Sequence, residues 1–412
     1  PHRALIGALV APILDDPALS RWRIVVSLRD GGWEYVGRWL ASLRLASTVR
    51  VDVGSLNDAE AEQVAGVHPR LRPLLFGEPA VREIARRPFF LNVLASAVDL
   101  ERNAPSSETE LLTAWWNGGG YDAEGSLRAR RQEGLIQLAR ATAPSLGRDG
   151  RVRGLDHEAL ESLKADRVLQ DAEPGHTVSF RHDIYFEWAF VHDLIDAGAD
   201  WPDRLVQAGE PPALGRAVEL LSQLRFDRDQ DWAGELDRLE ASERRTQWRR
   251  SWIVAPPSSP RFGEYHETFT SAVLGDATGE RLHRLLLGFQ TVRTEPADRL
   301  FELPGVAGMP ETRRMQIAEL LAAPVDLVAW RRLLSWIIGV DDRLPSSAWS
   351  VLAGVMEVWQ GVAARRPNLI SERLLALAES WLHQLEDHRY AASRESRFER
   401  FPGIGYREEE RL

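Results

Sequence analysis

The 412-residue chain contains no cysteine, which excludes a disulfide framework, a thiolate metal site and a thiol nucleophile. That lack suits a cytoplasmic protein. Lysine is almost as scarce. Of the 51 lysines and arginines only Lys164 is a lysine, a bias expected of a GC-rich genome. This scarcity has a chemical consequence, because a phosphate loop of the G-x-x-x-x-G-K-[ST] type needs a glycine-rich turn and a lysine that reaches the terminal phosphates. Lys164 stands in Glu161-Ser162-Leu163-Lys164-Ala165-Asp166, without glycines and without a following Ser or Thr, so the chain cannot hold that loop. Long apolar runs are missing too. The stretch from Leu327 to Val340 is broken by Arg331 and Arg332 and falls short of the roughly 18 to 20 residues a membrane helix needs. The net charge is −10 with both signs interleaved, which argues against a general nucleic-acid or anionic-membrane surface and leaves room only for a local basic patch. The opening Pro1-His2-Arg3-Ala4 has no initiator Met and runs directly into apolar helical spacing at Leu5, Leu9, Val10 and Leu14, which predicts a piece of something longer.

What is present is the composition of a folded protein, 44% hydrophobic and 27% charged, and the length suggests about two to four domains. The expected fold class is mainly α, in four zones. Residues 1–54 carry a βαβ rhythm: Arg23-Ile24-Val25-Val26-Ser27-Leu28 as a strand, Trp33 to Leu45 as a helix, and Val49-Arg50-Val51-Asp52-Val53 as a second strand. Residues 55–104 are helical, with Ser55 and Asp58 placed like a capping box and with Pro79 and Pro88 starting two further helices. Residues 105–200 contain helices at Leu111 to Trp116, Leu127 to Ala143 and Asp156 to Ala165. A hairpin turning at Glu173-Pro174-Gly175 and a helix from Asp183 to Ile195 complete a winged-helix pattern. Residues 201–412 form an arm of amphipathic helices broken by prolines, of roughly HEAT, armadillo or TPR size but without a fixed period. Nine of the 15 tryptophans fall in this arm, from Trp201 to Trp381. Most are expected in the core, with an exposed subset on the concave side anchoring a protein partner.

Three positions are candidates for ligand contact, and each also fits a bland structural role. Arg29 follows a buried-type strand at its carboxyl end, the edge where open α/β sheets bind ligands, and is otherwise a loop arginine. Pro88 can lay its ring against a base, and is otherwise a proline at the first position of a helix. His182 stands where the hairpin gives way to a helix, where free N–H groups and the dipole attract anions and an imidazole adds a directed bond. Otherwise it is a structural histidine beside Asp183. His-Asp recurs at His192-Asp193, but ten residues at ~100° each leave the two histidines some 80° apart around the helix and nearly three turns along it, too far to share a metal. Glu158 and Glu187 are expected on solvated helix faces or in local ion pairs.

The order of these features carries more than any one of them. Ser27-x-Arg29, a helical lid with Arg87-Pro88-Phe89, Trp115-Trp116 and then Arg181-His182-Asp183 before a long helix resemble the STAND class of P-loop ATPases, the NACHT and NB-ARC-like relatives of AAA+ proteins. The resemblance spans about residues 4 to 198. It implies that residues 1–54 are the C-terminal part of an α/β nucleotide-binding domain, 55–104 the lid and 105–200 the winged helix. It further implies that Arg29 senses the γ-phosphate, that Pro88 touches adenine and that His182 contacts the β-phosphate of ADP. Arg181 departs from the family pattern, which has an apolar residue before the histidine. The phosphate loop and the acidic strand that holds Mg²⁺ are expected upstream, so no catalytic residue is assigned and the piece is expected to be inactive alone. The resemblance implies an ATP/ADP-binding signalling switch of the kind used in bacterial antiviral defence, with a protein target sensed by the arm and self-association on activation. The alternative is a non-enzymatic helical scaffold.

Overall fold

In the computed structural model, Ala18 and residues 54–96, 104–121, 123–148, 150–242, 245–295, 323–324, 326–363 and 368–395 are described. The chain divides into two compact units, Pro1–Ser55 and Leu56–Leu412. The strands expected near Ile24 and Val51, together with Ser27 and Arg29, lie outside the described residues.

Asn57 starts the first described α-helix, α1 (Asp58–Val67). Its side chain accepts the Glu60 N–H at 3.0 Å, and the Glu60 carboxylate accepts the Asn57 N–H at 2.9 Å. This reciprocal cap satisfies two orphan donors. It replaces the Ser55 and Asp58 pair expected from the sequence, because Asn57 and Glu60 meet the same spacing with a longer acidic arm. After α2 (Arg72–Phe76), prolines open α3 (Pro79–Ala85) and α4 (Pro88–Ser96), where the missing N–H costs nothing. α4 buries Phe90, Leu91, Val93 and Leu94.

Ser107 caps α5 (Glu108–Asn117), accepting the Glu110 N–H at 3.1 Å. Then come α6 (Gly125–Thr142) and α7 (His157–Ala165), the latter capped by Asp156 through the Ala159 N–H at 2.8 Å. β2 (Leu169–Glu173) and β3 (Thr177–Phe180) form an antiparallel hairpin with Leu169 opposite Phe180. Its inner face buries Leu169, Val178 and Phe180. A third strand, β1 (Gly150–Arg151), was not expected and pairs with the other edge of β3. It exists because Gly150 has no side chain, since a Cβ there would stand 2.2 Å from Leu138 Cδ1 on α6. α8 (Asp183–Asp196) follows β3 and is buried along much of its length, including Tyr185, Trp188 and Phe190.

The remaining described helices are α9 (Trp201–Gln207), α10 (Gly215–Asp227), α11 (Trp232–Ala241), α12 (Thr246–Val254), α13 (His266–Leu274), α14 (Glu280–Val292), α15 (Leu327–Gly339), α16 (Trp349–Ala363) and α17 (Leu369–Glu395). α10 packs on α12, α12 on α14 and α14 on α16, while α17 packs on both α15 and α16. A two-residue ladder of β4 (Thr294–Glu295) and β5 (Ala323–Pro324) is the one non-helical pairing described in this arm. One hydrophobic cluster runs from Ala61 to Trp381, so the zone limits near 104 and 200 do not interrupt the core.

Most of the arm's tryptophans were expected in the core; the exposed subset expected beside them is corrected, because all nine are buried, the least covered being Trp349 at 6%. Helices packed on two sides leave no open face for an indole. The ring nitrogens of most are tied down inside: Trp201 donates to Glu235, Trp232 to Ser222, Trp248 to Glu210 and Trp336 to Thr270. Where α5, α8 and α10 meet, Glu108 accepts the Trp188 indole N–H at 3.3 Å and also pairs with Arg216. Beside it, Thr109 donates to buried Asp227 at 3.0 Å. Among the described residues no helix is long and apolar enough to cross a membrane.

Candidate functional site

The turn from β3 into α8 is made by Arg181 and His182. His182 is the N-cap residue of α8, with extended backbone, and its Nδ1 accepts the Ile184 N–H at 3.2 Å. In the neutral ring that bond leaves the proton on Nε2, which makes Nε2 the donor. The helix therefore spends one of the N–H groups expected for an anion on its own histidine. What the junction offers a ligand is the imidazole more than the bare helix end.

α4 packs against this junction through Phe89. The Phe89 ring lies 4.1 Å from that of His182, centroid to centroid, at a tilt of 31°. The same ring is 5.1 Å from Tyr185 and 6.2 Å from Trp188. Trp115 of α5 stacks on Tyr185 at 5.6 Å. Aromatic pairs at these separations add about 0.5 to 1.5 kcal/mol each beyond burial, so α4, α5 and α8 are clamped at one point.

A cavity of about 530 Å³ opens beside the clamp. Phe89, Asn92 and Ser96 line it from α4, Tyr121 from the turn after α5, and Asp166 and Arg167 from the end of α7; Arg181, His182 and Tyr185 complete the wall. Its size falls within the range of about 300 to 1,000 Å³ typical of small-molecule sites. Pro88 is exposed at the first position of α4 and is not part of this lining; its neighbour Phe89 is. Of the three sequence candidates, His182 is thus in the cavity, Pro88 is one residue from it, and Arg29 lies outside the described residues.

The electrostatics of the cavity are cationic. Asp166 is engaged by Arg131, whose Nη1 donates to its carboxylate at 2.6 Å. Arg131 is only 2% exposed, and also donates to the Gly119 carbonyl and to Ser162. Among the described residues neither Arg167 nor Arg181 pairs with a carboxylate. Tyr121 and Tyr185 share a hydroxyl–hydroxyl hydrogen bond, and burial raises the pKa of both, so they remain neutral phenols. The arrangement offers an aromatic face, two neutral hydroxyls, one imidazole and two uncompensated guanidinium groups, which suits an aromatic ligand bearing negative charge.

His192 belongs to a different environment. It stacks on Trp116 with ring centroids 3.8 Å apart, and burial, helped by Arg228, pushes its pKa down to about 3. Among the described residues no cluster of three or more His, Asp or Glu is placed to hold a metal. Glu158 pairs with Arg130 at 2.8 Å, the local ion pair expected for it.

The sequence reading missed Phe89, Tyr121, Tyr185 and Arg167. Two of these carried a signal. Phe89 adjoins Pro88, and Tyr185 follows His182 by three residues, a spacing that puts both on one helical face. Arg167 sits in no motif at all. Comparison with family models, with curated proteins and with solved structures finds no match for this chain.

Proposed function

We propose that this chain is the ADP-holding part of a STAND-type signalling switch, in which the lid helix α4 and the winged-helix segment, α5 to α8, close on a nucleotide. The observation that carries this reading is the meeting of two sequence-distant elements around one cavity: Phe89, adjoining the lid proline, lies against His182, the residue before the long helix. In this reading Phe89 packs on the adenine, His182 Nε2 donates to a phosphate oxygen, and the cationic wall offsets the charge of the diphosphate. Mg²⁺ and the phosphate loop belong to residues outside the chain, as does turnover of ATP. The arm from α9 to α17 senses a protein target. Its indoles are interior, so other side chains make that contact. Target binding then releases ADP, permits exchange for ATP and leads to self-association, as in antiviral or related signalling.

Binding of ADP to the purified chain tests the reading, measured by equilibrium dialysis alongside Phe89→Ala. ADP should bind and the substitution should weaken it by about tenfold or more, the scale of a lost base–aromatic stack of 1 to 3 kcal/mol. A folded chain that shows no ADP binding, or binding untouched by Phe89→Ala, would refute it. The non-enzymatic scaffold would give the first of these results.

A further inference from the structure

One of the two uncompensated arginines occupies a backbone position that disfavours it. α7 ends with the Val168 N–H donating to the Leu163 carbonyl at 3.0 Å and the Arg167 N–H donating to the Lys164 carbonyl at 2.9 Å. These paired bonds form a left-handed helix C-cap, and Arg167 takes its left-handed position at φ 60°. Glycine is the usual residue there because any Cβ is strained in that region. The cap bonds need only the backbone, so nothing in the fold of α7 calls for an arginine. Arg181 is held next to it, since its N–H donates to the Val168 carbonyl at 2.9 Å and it lies one step beyond the Leu169–Phe180 pair of the hairpin. Both residues line the cavity.

The carboxylate beside them does not neutralise them. Asp166 is taken by Arg131, and the buried Arg131 has a guanidinium nitrogen, Nη2, with no hydrogen-bond partner of its own. Of the three arginines near this end of α7 only Arg131 pairs with that carboxylate, so among the described residues the two on the wall have no carboxylate partner. Forked guanidinium groups match phosphate oxygens in pairs.

We propose that Arg167 and Arg181 form a two-arginine clamp for the diphosphate of the bound nucleotide, which makes the cavity selective for diphosphates over monophosphates and nucleosides. This rests on the nucleotide reading for the identity of the ligand, while the anion site rests on the arginines alone. Arg181 is the residue at which the chain departs from an apolar family pattern, and Arg167 belongs to no recognised motif.

The full chain is titrated with ADP, AMP, adenosine and inorganic pyrophosphate, as the wild type and as Arg167→Gly and Arg181→Ala. Each substitution should weaken ADP and pyrophosphate about tenfold to a hundredfold, the span of a lost charge-assisted bond, and leave adenosine unchanged. Arg167→Gly separates binding from folding, because glycine suits the left-handed position, so its melting temperature should hold or rise while binding falls. ADP binding equal in wild type and both variants overturns the clamp and leaves the nucleotide reading standing. Pyrophosphate binding without ADP binding does the reverse. A fall in melting temperature of Arg167→Gly that matches its loss of binding also overturns the clamp, since the side chain would then be holding the fold.

Discussion

Replacing His182 removes two things at once, and the structure shows how to separate them. As N-cap residue its Nδ1 accepts the Ile184 N–H at 3.2 Å, and its ring packs on Phe89 at 4.1 Å. Losing a side-chain cap costs about 1 kcal/mol, and losing an aromatic pair about 0.5 to 1.5 kcal/mol. His182→Ala should therefore lower stability by about 2 kcal/mol in denaturant unfolding. His182→Asn restores a good capping oxygen but no ring, so it should recover about half of that loss. ADP binding should not follow the same order. If Nε2 donates to a phosphate oxygen, both variants lose that charge-assisted bond and both release ADP about tenfold to a hundredfold faster. The assay is the dissociation rate of a labelled ADP beside the unfolding curve of each protein. A ligand role predicts that Asn rescues stability and not retention. If Asn rescues both in proportion, or if both variants keep the wild-type release rate, His182 is a helix cap and nothing more.

Glu108 joins the aromatic clamp to the arm, and Glu108→Ala should cost about 3 kcal/mol, because it leaves the fully buried Trp188 N–H without an acceptor and removes a partner of Arg216. Glu108→Gln keeps an acceptor and should cost about 1 kcal/mol; equal losses for the two in chemical unfolding would show that the Trp188 bond contributes nothing. His192 gives a pH dependence whose sign is fixed by its burial. Its pKa falls from 6.5 in the unfolded chain to about 3 in the fold, so the unfolded state binds the extra proton between these values. The contribution is constant above pH 6.5, and stability is lost as pH falls from there towards 3, by about 1.4 kcal/mol per pH unit. His192→Phe keeps the stack on Trp116 and removes the titration, so it should flatten the acid limb of the stability profile relative to wild type; parallel profiles would sink the assignment.

The parts of this fold that were legible in the sequence are those decided within a few residues. Pro79 and Pro88 mark helix starts because, within a helix, a fixed φ and a missing N–H suit only the first turn. Asp156 and the Glu173-Pro174-Gly175 turn declared the helix and hairpin around them for equally local reasons. β1 was not legible, because Gly150-Arg151 has no strand pattern and pairs only by virtue of its approach to Leu138. Most tryptophans of the arm were legible as core, but the exposed subset expected among them is absent, for a related reason. Helical spacing shows that a residue faces something apolar, but not that a second layer covers the other side.

The candidate site divides along the same line. His182 and the segment at Pro88 were named because each stands at a helix start, and the structure brings their neighbourhoods together. Whether the cavity between them is cationic could not be read locally. A count along the sequence sets Asp166 directly beside Arg167 and cancels the two. The count fails because Arg131, 35 residues away on α6, takes the Asp166 carboxylate first. A buried guanidinium has few partners to choose from, whereas Arg167 at the surface has water as an alternative, so the pairing that forms is the one that relieves the larger desolvation cost. The charge left on the wall is thus a property of packing between α6 and α7. The proposed anion site therefore depends on Arg131, a residue that does not line the cavity and that no motif contains.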